Sequence, residues 1–213
     1  MYLSRVQIEE KNRQRVKDLN HLGAYHNWVE SSFPDEFVSG ERTRKLWRID
    51  KLQGDRYLLV LSEKQPDLDK LAYYGVANTA ESKSYNVLLD RLEVGMKLRF
   101  RVTLNPVISI STGKQSGKRG KVMPHVTIEH QTKYLMDRSL KNGFQLNENE
   151  FSITERSMEP LKKQKHHPVR LSKVSYEGLL TITDIELFKE ALINGIGKKK
   201  AYGCGMMTVI PEV

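Results

Sequence analysis

His21, Tyr25 and His26 stand close together in the chain and are the side chains whose types best suit proton transfer near neutral pH. The reaction that asks least of a protein with such a set is metal-free RNA cleavage. The ribose 2′-hydroxyl supplies the nucleophile. The protein must bend the strand into line, take or give a proton, and stabilise the extra charge on the phosphorane. One imidazole, one further proton-transferring group and a few lysines suffice, and this sequence contains them. A lone histidine on a helix is more often structural than catalytic, so spacing alone leaves both readings of His26 open.

Other chemistries are poorly provided for. The chain has no Gly-x-Ser-x-Gly, no His-Glu-x-x-His and no clustered carboxylates beside a basic groove, so metal-dependent phosphodiester chemistry lacks ligands. Cys204 is the only cysteine, which excludes an intramolecular disulfide and a zinc site built on several cysteines. Neither a metal nor a cofactor is expected.

Binding groups are more abundant. Gly195-Ile-Gly-Lys-Lys-Lys-Ala-Tyr-Gly-Cys-Gly205 fails the dinucleotide fingerprint, because Lys200 stands where the third glycine belongs, and it fails the phosphate-loop pattern. It offers backbone amides beside Lys198, Lys199 and Lys200, a natural way to hold a phosphodiester. Read blandly, the same stretch is a helix stop and a solvated turn. Two more acid-free runs share its sign: Ser111 to Lys121, with Lys114, Lys118, Arg119 and Lys121, and Leu161 to Lys173, with Lys162, Lys163, Lys165, Arg170 and Lys173 beside His166 and His167. Each neutralised phosphate would add to a strongly salt-dependent affinity.

The net charge of +9 agrees, and it is unevenly spread: 17 basic against 15 acidic side chains in residues 1–100, and 18 against 11 in the remainder. A polyanionic partner is expected, and basic loops with few stacking aromatics favour a structured RNA read through its backbone. No apolar run approaches about 18 residues, and the opening residues lack a signal peptide's order, so a cytoplasmic protein without membrane contact is the expectation.

The elements that must position these groups follow from periodicity. Tyr2 to Ile8 alternates as a strand. Leu22, Tyr25, Val29 and Phe33 fall at helical spacing over residues 20–33, with Pro34-Asp35 as the stop. Residues 45–50 and 56–61 form a hairpin around Gly54, and 66–74 is a short helix. The second half repeats the order: a strand over 96–104, a helix over 127–142, strands over 144–154 and 174–182 separated by a long basic connection, a helix over 184–192, and a last strand over 202–210. Two successive β-α-β-β-α-β units predict an α+β protein of two tandem ferredoxin-like, or RNA-recognition-module-like, domains: residues 1–92 with the histidine helix, and 96–213 with the basic loops and the glycine-rich stretch.

Several segments together resemble the CasE family, the repeat-processing endoribonucleases of type I-E CRISPR systems. They are Met1-Tyr-Leu-Ser-Arg-Val, the His26 to Phe33-Pro34 spacing, Leu46-Trp-Arg-Ile49, Leu98-Arg-Phe-Arg with Asn105-Pro106, Tyr176-Glu-Gly-Leu-Leu-Thr-Ile182, and Gly195-Ile-Gly with Lys200, Gly203-Cys-Gly205 and Pro211. The resemblance implies metal-independent cutting of precursor CRISPR RNA at the 3′ base of the repeat hairpin, a 2′,3′-cyclic phosphate or its opened form, and retention of the product within the Cascade complex of protein subunits. It also implies that His26 is the catalytic histidine and that Arg156 to Arg170 is a hairpin entering the RNA stem. The pattern departs at Gly23 and Ser31, where some members carry a tyrosine and a lysine. Tyr25, His21 or a lysine of residues 114–121 then remains to supply the second role, and a subunit that binds the hairpin without cutting it is the alternative.

Overall fold

The structure, a computed structural model, describes residues 1–110, 121–163 and 166–212, and of residues 162, 163 and 166–168 the backbone alone. The chain opens with strand β1 (Tyr2–Gln7), a one-turn helix α1 (Arg13–Val16), α2 (Leu22–Ser31) and α3 (Pro34–Ser39). The hairpin strands β2 (Lys45–Leu52) and β3 (Asp55–Ser62), the short α4 (Leu68–Leu71), β4 (Glu81–Ser84) and α5 (Asn86–Leu89) follow. The sheet order is β2-β3-β1-β4, all antiparallel, with β1 between the hairpin and the edge strand.

Two features of this first unit differ from the sequence reading. Pro34 does not simply end the helix: α2 stops at Ser31, and Pro34 occupies the first turn of α3, where its missing N–H costs nothing. The fourth strand is Glu81-Ser-Lys-Ser, which carries no apolar residue to show an alternation. Its backbone pairing to β1 makes it a strand, and the Arg5–Glu81 ion pair lies across that pairing.

The second unit contains β5 (Lys97–Leu104), the small hairpin β6 (Val107–Ile110) and β7 (Lys121–Pro124), α6 (Ile128–Ser139), β8 (Phe144–Gln145), β9 (Phe151–Lys163), β10 (His166–Ile182), α7 (Ile185–Asn194) and β11 (Met207–Pro211). Its sheet runs β11-β5-β10-β8, with β9 also paired to β10. The order repeats the first unit's, and the chain is α+β with two ferredoxin-like sheets. The basic connection is itself strand: β9 and β10 pair well beyond the sheet, with Leu161 opposite Val169 and Pro160 opposite Arg170. The last strand begins at Met207 rather than 202, because residues 200–202 form a 3-10 turn followed by left-handed Gly203 and Gly205.

Caps explain the helices that periodicity located best. The Asp184 side chain accepts from Leu187 N–H at 3.0 Å at the start of α7, and Thr127 accepts from His130 N–H at the start of α6.

Neither core belongs to one unit alone. Val6, Leu58 and Val60 pack on Leu22, Trp28 and Val29 of α2, and Leu161, Leu171 and Cys204 join them from the second half. Phe100, Val102, Tyr176 and Ile182 pack on Leu135, Phe188 and Leu192, and Leu46, Leu61 and Leu89 join them from the first. Arg48 pins the seam. It is 1% exposed and donates to both carboxylate oxygens of Asp50 at 2.7 Å. It also donates to the carbonyls of Arg101 at 2.7 Å and Met206 at 3.0 Å and to the Thr208 hydroxyl at 2.7 Å. A buried guanidinium is tolerable only when its donors are used, and these are used to join β2 to β5 and β11.

Candidate active site and basic surface

Helix α2 buries Leu22, Tyr25, Trp28 and Val29, and the Trp28 indole donates to the Leu71 carbonyl at 3.1 Å, fixing the helix against α4. His26, about 100° from Tyr25 around the helix, is half-buried at the edge of this face. Its ring meets that of Tyr202, with centroids 6.0 Å apart and planes inclined by 65°. The Lys199 ammonium lies 6.0 Å from the centroid of the same tyrosine ring. An imidazole, a phenol and an ammonium are thus brought together from opposite ends of the chain.

Trp47 makes this meeting possible. Its indole donates to the Ala201 carbonyl at 3.1 Å, and a Cβ on Gly203, whose φ is +74°, would come within 2.7 Å of the indole ring. Only glycine lets the turn rest on Trp47 in this way. Tyr25 stacks on Trp47 too, at 5.9 Å and 24°. One tryptophan therefore anchors both the helix that carries His26 and the turn that carries Tyr202.

The glycine-rich stretch is less open than its composition suggests. The amides of Gly195, Ile196, Tyr202, Gly203 and Gly205 donate to protein carbonyls and are not available to a phosphate. Lys198 and Lys199 are exposed. Lys200 turns inward and donates to the Asn194 carbonyl at 2.7 Å; burial, with the charge of Arg44, holds its pKa below the ordinary lysine value. Two lysines of the three face outward.

Tyr25 has a different neighbourhood. Its hydroxyl accepts a long 3.5 Å hydrogen bond from Arg56, and burial pushes its phenol up although Arg56 pulls the other way. It lines a cleft of about 460 Å³ with Asp50, Arg56, Arg101 and Lys173, a cleft whose walls do not include His26. The ring contacts of Tyr25 are with Trp28 and Trp47 rather than with the imidazole. His21 precedes the first residue of α2, and its Nδ1 is buried without a hydrogen-bond partner among the described residues. Ser31 donates its hydroxyl to the Trp28 carbonyl at 2.9 Å.

The remaining basic residues are spread over the second unit. Lys121 begins β7, and Arg156 and Arg170 stand exposed on β9 and β10, where Arg156 also donates to the Val126 carbonyl. Lys162 and Lys163 lie on β9, but their side chains are outside the description; Lys114, Lys118, Arg119 and Lys165 lie outside the described residues. Lys173 sits 5.8 Å from the Trp47 ring centroid. With Lys199 it pulls down the Cys204 thiol, which burial nevertheless raises to about 11. Among the described residues, no three His, Cys, Asp or Glu side chains converge as a metal site requires.

Sequence reasoning missed Tyr202 as a neighbour of His26; Lys173, which it grouped with the basic run 161–173, stands over Trp47. Tyr202 was hidden by its assignment to a strand, although an aromatic between Lys200 and Gly203 suits a turn better.

A family model described as CRISPR associated protein matches residues 1–211. The chain is 26% identical over 222 residues to the CRISPR-associated endoribonuclease Cse3 of Thermus thermophilus, covering 99% of this chain and 100% of that protein. It is 29% identical over 126 residues to the CRISPR system Cascade subunit CasE of Escherichia coli, covering 57% of this chain and 61% of that one. A solved structure of the CRISPR endoribonuclease Cse3 bound to a 19-nucleotide RNA superposes with a TM-score of 0.80 at 24% identity, covering 99% of this chain and 100% of that chain.

Proposed function

The chain belongs to the CRISPR-associated protein family, and from that premise we propose that it is a CasE-type endoribonuclease that cuts precursor CRISPR RNA at the 3′ base of the repeat hairpin and stays with the product as a Cascade subunit. The observation that carries the reading is the placement of His26: a half-buried imidazole at the edge of its helix, against a turn that exposes Lys198 and Lys199.

The 2′-oxygen attacks the adjacent phosphorus, the bond from phosphorus to the 5′-oxygen breaks, and a 2′,3′-cyclic phosphate remains. The 2′-hydroxyl loses a proton and the departing 5′-oxygen gains one; His26 serves one of these transfers as general acid or base. Because the nucleophile belongs to the RNA, no metal-bound water is needed. To Lys199, near the Tyr202 ring, we assign the stabilisation of phosphorane charge. Tyr25 supports the site through Trp47 and takes no proton itself.

The strands and turns of the second unit hold the hairpin, through Lys121, Arg156, Arg170, Lys198 and Lys199 and through the basic residues outside the described part. In this reading residues 1–92 supply the cutting imidazole, and 96–213 hold the hairpin and bring Lys199 to the cut. The protein works in the cytoplasm, where its RNA is made; no helix among the described residues is long and apolar enough to cross a membrane.

The test is incubation with a repeat hairpin in EDTA, beside a substrate carrying a 2′-deoxy sugar at the cut. Cleavage in EDTA that disappears with the deoxy sugar is expected. Cleavage that needs a divalent ion, or that survives the deoxy substitution, contradicts the mechanism. A second reading, a subunit that binds the hairpin without cutting, draws on Gly23 and on Ser31, whose hydroxyl is spent on its own helix. Tight binding with no product from the unaltered protein would favour it.

A further inference from the structure

We propose that Tyr202 is the positioning residue for His26, and that its ring rather than its hydroxyl does the positioning. The inference rests on the reading of His26 as the proton-transferring group. An imidazole at the edge of a helix has two torsions to fix, and a small misplacement of a catalytic group costs as much as about a hundredfold in rate. Helix α2 supplies no aromatic wall for His26: Tyr25 and Trp28 are turned into the core, and position 23 is glycine. The wall comes instead from the far end of the chain. The Tyr202 ring stands 6.0 Å from the imidazole at 65°, an arrangement in which aromatic rings attract one another through edge and face.

The wall is fastened on both sides. Ala201, immediately before Tyr202, is held through its carbonyl by the Trp47 indole, and Gly203, immediately after it, rests against the same indole. The Tyr202 amide donates to the Lys199 carbonyl at 2.9 Å, which closes the turn. Lys199 adopts the left-handed φ of +64°, a conformation rare for a side-chain-bearing residue. That conformation belongs to a turn in which the Lys199 ammonium also lies near the Tyr202 ring. The tyrosine therefore has fixed neighbours on both sides in sequence and contacts the two groups the reaction uses. No hydrogen bond from its hydroxyl accompanies these contacts among the described residues, so the ring is the part with a defined place.

The test compares Tyr202→Ala and Tyr202→Phe in single-turnover cleavage of a repeat hairpin at saturating protein, with hairpin affinity and the His26 ring resonances in NMR measured on the same samples. For Tyr202→Ala a rate loss of about tenfold to a hundredfold is expected, with affinity within about twofold and the His26 resonances shifted or broadened. Tyr202→Phe should restore all three. Cleavage by Tyr202→Ala at the unaltered rate, unchanged His26 resonances, or a Tyr202→Phe variant as slow as Tyr202→Ala would each overturn the assignment. A loss of affinity without a loss of rate at saturation would also overturn it, because Tyr202 would then be an RNA contact. If the unaltered protein cuts no hairpin, the endoribonuclease reading fails; the resonance comparison needs no turnover and still decides whether Tyr202 holds His26.

Discussion

Helices α2 and α6 occupy the same place in two units of the same topology, and they put a histidine to different uses. On α6, His130 sits in the first turn with its Nδ1 2.8 Å from the hydroxyl of the cap, Thr127, and its ring 5.7 Å from that of His125. On α2, His26 sits mid-helix and meets a turn delivered by the other unit. The βαββαβ arrangement supplies equivalent positions but no chemistry. What packs across each helix differs: among the described residues α2, and not α6, receives a lysine-bearing turn fastened by a tryptophan. Charge divides the same way: residues 1–100 are nearly balanced, whereas the remainder carries most of the excess. In the proposed reading the balanced half supplies the imidazole, and the basic half holds the hairpin and contributes Lys199 and Tyr202 at the cut.

That division depends first on the seam. Replacing Arg48 with Met removes the donors shared among Asp50, Thr208 and two carbonyls, and leaves the Asp50 carboxylate without its main partner. A loss of about 3–5 kcal/mol is expected in urea unfolding, with both halves melting together. A loss below about 1 kcal/mol would mean that the two units are not coupled through this residue.

Gly203→Ala strikes the join between helix and turn. Its positive φ and the 2.7 Å approach to Trp47 predict destabilisation of about 1–3 kcal/mol and a slower cut at unchanged affinity. Equal loss of rate and affinity would show that the turn serves binding as much as cutting.

Some of this was legible in the sequence, for identifiable reasons. Helix α7 announces itself through Asp184 and the Asn194-Gly195 stop, and β5 through its alternation. Strand β4 does not, because Glu81-Ser-Lys-Ser is defined only by what it pairs with. The motif Leu46-Trp-Arg-Ile49 reads in the sequence as part of a hairpin strand and of the family resemblance. Leu46 fills the second unit's core, Trp47 seats the glycine-rich turn and Arg48 clamps the seam, three long-range contacts that no local pattern records. His26 was legible as a candidate, but its neighbour Tyr202 was not, since their meeting depends on how both pack on Trp47. The lysines of the glycine-rich stretch looked equivalent, and Lys200 proves to be committed to Asn194.

The holding half is tested by charge. Neutralising Lys198 and Lys199 together, or Arg170 alone, should reduce the slope of log affinity against log salt by roughly 0.7–1 per residue that contacts phosphate. Arg170→Gln should leave the saturated cleavage rate within about twofold. An Arg170 variant that binds normally but cuts slowly would blur the division.

The smallest effect is expected at Tyr25. Tyr25→Phe keeps the ring stacked on Trp47 and loses only a long contact to Arg56. Cleavage should stay within about twofold and stability within about 1 kcal/mol. A large loss of rate at unchanged stability would return the phenol to the reaction.

The most direct measurement is His26→Ala, assayed for hairpin affinity and for single-turnover cleavage in EDTA on the same preparation. A rate loss of about 10²–10⁴ with affinity within about twofold is the result predicted if α2 cuts and the second unit holds. Cleavage that persists at the unaltered rate, or a collapse of affinity that parallels the loss of rate, would contradict it.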